Sequence, residues 1–94
     1  MEEKKQVHAF FSGKVQKVGF RWWCKYYAES HRLDGWVRNL PDKRVELLVE
    51  GNSDLVDWLI ARLHEQFEIS SAEIKEGPFE GEIGYFDITH PGNP

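Results

Sequence analysis

The chain has 94 residues, 40% of them apolar and 30% charged, which fits one globular domain over 1–94 with a modest core and excludes a low-complexity chain. A formal net charge of −4 argues against nucleic acid as a partner, because domains that bind it carry a basic excess. The single cysteine, Cys24, excludes an internal disulfide and favours a reducing, cytoplasmic home; no apolar run reaches the length of a membrane span.

Gln6 to Ser12 reads as a strand, with Val7, Ala9 and Phe11 on one face and Phe10 on the other. From Phe20 to about Arg32 the period becomes helical, with Phe20, Cys24, Tyr27 or Ala28, and His31 on one side. Leu33 to Asn39 is a second strand. Pro41 and Asp42 mark a turn, and Val45 to Glu50 forms a hairpin with the preceding strand. Asn52 or Ser53 caps a second helix, in which Leu55, Leu59, Leu63 and Phe67 make a buried stripe. Ser71 to Glu76 is a fourth strand, and Tyr85 to Thr89 a short last one. The charged start, about 1–5, and the end, 90–94, read as flexible tails. The order β-α-β-β-α-β, with one extra strand, predicts a ferredoxin-like α+β sandwich: two helices on one face of a four- to five-stranded, mainly antiparallel sheet. Enzymes, RNA binders and small-molecule sensors all use that arrangement, so it does not fix a function.

The chemistry concentrates in Ser12 to Arg21, SGKVQKVGFR, between the first strand and the first helix. Backbone N–H groups in such a turn can form a nest for an anion, and the helix N-terminus adds donors and partial positive charge. Arg21 in the first helical turn opposes the helix dipole unless an anion sits there, and its guanidinium grips phosphate through paired hydrogen bonds. The same features also describe a tight turn followed by a solvated arginine, and the residues alone leave both readings open. The Gly-Lys-Ser/Thr ending of a P-loop is absent. Asn39 closes the second strand and can hold a water through its amide, or simply open the turn.

GKVQKVGFR followed by GWVRNLPDKRVELLVEG resembles the acylphosphatase family, whose pattern is roughly G-x-V-Q-G-V-G-F-R, then G-x-V-x-N, then V-E-x-x-x-E-G. The resemblance covers about Gln6 to Phe67 and again Tyr85 to Ile88. It implies hydrolysis of acyl phosphates to a carboxylate and inorganic phosphate. Arg21 and the backbone of Val15, Gln16, Lys17, Val18 and Gly19 would bind the phosphate, and Asn39 would orient the attacking water. It implies no metal and no organic cofactor, a small-molecule acyl phosphate as the partner, no nucleic acid or membrane, and a monomer.

Lys17 stands where the family pattern has glycine. If that position needs φ > 0, lysine costs about 1 kcal/mol there. A catalytically weak module that only binds phosphate is the alternative this substitution raises. Lys43 replaces a glycine that often follows the aspartate of the hairpin turn, and Glu68-Ile69-Ser70 stands where Gly-Pro is common. His8, His31, His64 and His90 lack metal-ligand spacing. Cys24 falls on the apolar side of the helix. One of Trp22 and Trp23 could meet an acyl group, and the sequence does not say which.

Overall fold

The computed structural model describes residues 2–90. In chain order they form β1 (Lys4–Lys14), α1 (Phe20–Ser30), β2 (Asp34–Asn39), β3 (Val45–Asn52), α2 (Ser53–Gln66), β4 (Glu68–Pro78) and β5 (Phe86–Ile88). The sheet order is β4-β1-β3-β2-β5. All neighbours are antiparallel except β2 and β5, which pair in parallel through Gly35–Phe86, Trp36–Asp87 and Val37–Ile88. This is the expected ferredoxin-like sandwich with the extra strand in place. Of the two expected tails, residues 1 and 91–94 lie outside the described residues, while β1 begins at Lys4.

Period-2 alternation sorts β1 as read from the sequence. Val7, Ala9 and Phe11 are buried, and Val45, Leu47 and Val49 of β3 join them beneath the helices. Phe20, Cys24 and Ala28 of α1 and Val56, Leu59 and Leu63 of α2 close the core from above. Phe20 links the layers: its ring centroid lies 5.5 Å from that of Phe11 and 4.9 Å from that of Phe67. Each such side chain withdrawn from water contributes about 1.5–3 kcal/mol. Asn52 caps α2, its Oδ1 accepting from Leu55 N at 3.0 Å.

β4 is longer than Ser71 to Glu76. The Gly-Pro that would interrupt the chain after α2 is missing, and Phe67 is already extended (φ −128°, ψ 152°), so the strand begins at Glu68.

β3 lies between β1 and β2, so the latter two run parallel and α1 is their crossover. Val45 pairs with Phe11 on one side and Asn39 on the other. The C-terminal ends of β1 and β2, the start of α1 and, through its parallel pairing, the end of β5 therefore meet at one edge of the sheet.

Candidate active site

That edge holds the residues singled out for phosphate and water, residues 15–19, Arg21 and Asn39. The chain leaves β1 at Lys14, and Val15 is buried, so it anchors the loop in the core. Lys17, Val18 and Gly19 are exposed. Lys17 adopts φ 63° and Gly19 φ 83°, both left-handed. The position where glycine was expected thus does require a glycine-like backbone, and lysine occupies it under strain.

Gly19 is the N-cap of α1 and has no side chain to satisfy the helix, and no acidic residue lies in the first turn. The first N–H groups of α1 therefore point outward without a local acceptor, at the positive end of the helix dipole. Arg21 adds its charge in that same turn. Of the half-buried arginines, Arg38, Arg44 and Arg62 each pair with a carboxylate, on Glu46, Asp42 and Glu65. Arg21 has no such partner among the described residues. A cation beside unfilled N–H donors is an arrangement for a phosphate.

Asn39 ends β2, and its Oδ1 is buried without a hydrogen-bond partner. Such an oxygen costs about 1–3 kcal/mol unless a donor reaches it. No hydrogen bond joins Asn39 to Arg21 among the described residues. The link between the two halves of the site is Gln16. Its Nε2 donates to the carbonyl oxygens of Leu40 and Arg44, 3.0 Å to each. The hairpin turn that follows Asn39 is thereby tied to the loop. Gln16 was singled out for its backbone alone, and this side-chain role was missed: its partners lie 24 and 28 residues away, where no local signal reaches.

One hollow lies at the loop and another beside the first turn of α1. The first, about 350 Å³, lies between residues 13–18 and Lys43 of the hairpin turn. The other, about 390 Å³, is lined by Arg21, Trp22, Lys25, Asp87, Ile88 and His90. A larger hollow of about 590 Å³ is bordered by Glu2, Glu3 and Asp54, whose charges repel a phosphate.

Other chemistry finds little footing. Cys24 is fully buried, and burial pushes its thiol pKa far up, so no thiolate nucleophile forms. No group of three His, Cys, Asp or Glu side chains among the described residues could hold a metal ion. His31 and His64 each direct Nδ1 to a carbonyl one turn back. His8 meets Glu46 on the sheet face away from the helices.

A model of the acylphosphatase family matches residues 7–88. An acylphosphatase from Pseudomonas aeruginosa is 42% identical over 83 residues, 84% of this chain and 90% of that protein. Among solved structures, the chain is similar to an acylphosphatase from Bacillus subtilis, with TM-score 0.84 and 28% identity over 90% of this chain and 98% of that one. It is similar also to one from Coxiella burnetii, with TM-score 0.83 and 33% identity over 93% and 94%.

Proposed function

The chain belongs to the acylphosphatase family, and from that premise we propose how it works: it hydrolyses the carboxyl-phosphate bond of acyl phosphates, with Arg21 and Asn39 as catalytic residues. The phosphate rests on the backbone N–H groups of Val15, Gln16, Lys17, Val18 and Gly19 and is gripped by the Arg21 guanidinium. The observation that supports the water's place is the position of Asn39 at the end of β2, opposite Val45, which pairs on its other side with Phe11 of β1, so the amide stands at the sheet edge where the phosphate loop begins. An acceptor there takes one O–H of a water and leaves the water's lone pair free to attack phosphorus.

In the reaction the new bond forms between the water oxygen and phosphorus. The bond from phosphorus to the carboxyl oxygen breaks, and the carboxylate leaves with the electron pair. The water's proton passes to an oxygen of the substrate phosphate. A carboxylate is a good leaving group, so the protein supplies position and charge stabilisation rather than a strong nucleophile. No cofactor enters this scheme. The same reading makes the protein a cytoplasmic monomer that takes a small acyl phosphate and binds neither nucleic acid nor membrane. Its net charge of −4 argues against nucleic acid, and its single cysteine favours a reducing compartment.

Phosphate release from benzoyl phosphate without added metal tests the scheme, beside Arg21→Ala and Asn39→Ala. Each variant is expected to lose about 100- to 1,000-fold in kcat/KM. No turnover by the folded wild-type protein would reduce it to a phosphate-binding module, and unchanged variants would remove the two roles.

A further inference from the structure

Trp22 and Trp23 are neighbours in α1 with opposite fates. Trp23 packs inward, its ring centroid 4.4 Å from that of Tyr27 and 6.2 Å from that of Phe67. Trp22 is 67% exposed and forms one wall of the 390 Å³ cleft that Arg21 also lines. An indole left in water beside a cleft forgoes the burial that makes tryptophan useful in a core, and a ligand that covers it recovers that free energy.

The charges of the cleft are unevenly matched. Lys25 Nζ lies 3.4 Å from Asp87 Oδ1 and 3.7 Å from Glu29 Oε2, and it donates to the Phe86 carbonyl at 3.4 Å. Lys25 and Asp87, both lining the cleft, thus offset one another. Arg21, two residues after the phosphate loop, has no such partner among the described residues. The lining of the cleft thus combines the free cation of Arg21 with the apolar side chains of Trp22 and Ile88. Its volume falls in the range of small-molecule sites, about 300–1,000 Å³.

The geometry points to this cleft as the acyl-group subsite, with Trp22 as a specificity-determining residue that selects acyl phosphates carrying a flat, apolar acyl group. The inference rests on the phosphate site proposed above, since Arg21 must hold the phosphate for the acyl group to reach the indole. A ring lying against Trp22 gains contact area that a methyl group cannot.

The test compares kcat/KM for benzoyl phosphate and acetyl phosphate in the wild type, Trp22→Ala, Trp22→Phe and Tyr26→Ala. Tyr26 is as exposed as Trp22 on the same helix, at 65%, but does not border the cleft. The benzoyl-to-acetyl ratio is expected to fall about tenfold in Trp22→Ala, mostly through KM for benzoyl phosphate. Trp22→Phe should restore most of the ratio, and Tyr26→Ala should leave it as in the wild type. An unchanged ratio in Trp22→Ala overturns the subsite while acetyl phosphate turnover keeps the activity standing. A fall in both substrates alike also overturns it, because a general disturbance of α1 would do that. Turnover of neither substrate by the wild type overturns the activity and the subsite together.

Discussion

The side-chain amide of Gln16 donates to the Leu40 carbonyl oxygen at 3.0 Å, which fastens the loop before α1 to the residue next to Asn39. The two groups proposed to hold the phosphate and the water are thereby set on a common frame. Gln16→Ala cuts both this bond and the one to Arg44. It is expected to lower kcat by about 10- to 100-fold while KM changes less, because misplacing a positioned reactant by about 1 Å costs that much. Steady-state kinetics with benzoyl phosphate decides it. An unaltered kcat would show that the loop and the hairpin hold their positions independently.

Lys17 and Lys43 adopt φ 63° and 73°, a region where a side chain is strained. Lys17→Gly and Lys43→Gly should each stabilise the protein by about 0.5–1 kcal/mol, or about 4 °C in Tm. The gain is reduced by the extra freedom glycine gives the unfolded chain. Thermal unfolding followed by circular dichroism gives the sign directly. A fall in Tm for Lys17→Gly would mean that the lysine makes a contact worth more than its strain.

Glu46 is buried on the sheet face away from the helices. Burial alone would raise its pKa. Hydrogen bonds from His8 Nε2 and Arg38 Nε, 2.7 Å each, outweigh that and hold the carboxyl below the usual glutamate range. A depressed folded-state pKa stabilises the protein above the unfolded value, about 4.3, and that share is lost as pH falls through the folded value. Glu46→Gln should therefore unfold at a lower Tm than the wild type at pH 7, with the gap narrowing below about pH 4. Melting curves from pH 7 to 3 show whether the two converge. A constant gap would assign the effect to packing rather than charge.

If the substrate phosphate takes the water's proton, kcat should stay flat from about pH 6 to 8, where no essential enzyme group changes charge. The group to watch is His90, which borders the cleft beside Arg21. A loss of kcat in His90→Gln with KM unchanged would move the proton to that imidazole instead.

The fold was legible where its causes are local. The apolar alternation of Val7, Ala9 and Phe11 placed β1, and Asn52 announced the start of α2, because a cap acts over three residues. The extent of β4 was not legible. Its residues are mostly exposed and do not alternate, and the strand is held by pairing with β1, some 60 residues earlier in the chain. The site divides in the same way. Residue type and spacing at Arg21, the loop and Asn39 left an ordinary turn open beside a phosphate site, and the resemblance to the family pattern is what marked them as candidates. The clip made by Gln16 and the outward turn of Trp22 depend on tertiary placement. Helical periodicity assigned Phe20 and Cys24 to the core but left the tryptophans between them on flanking directions.

The two outer strands of the sheet have a consequence for self-association. β5 is only three residues long, so that side offers a second chain little to pair with. β4 offers an eleven-residue backbone edge, a length that invites intermolecular strand pairing and fibril growth. Along it stand Glu68, Glu73, Lys75, Glu76 and Pro78, and the register against β1 shifts at Ser12/Gly13. Charges, a proline and an irregular edge are the features that keep such a strand from templating another. Replacing Glu73 and Glu76 by uncharged residues would therefore be felt first in the tube, as turbidity and thioflavin binding at high concentration, before any change in turnover.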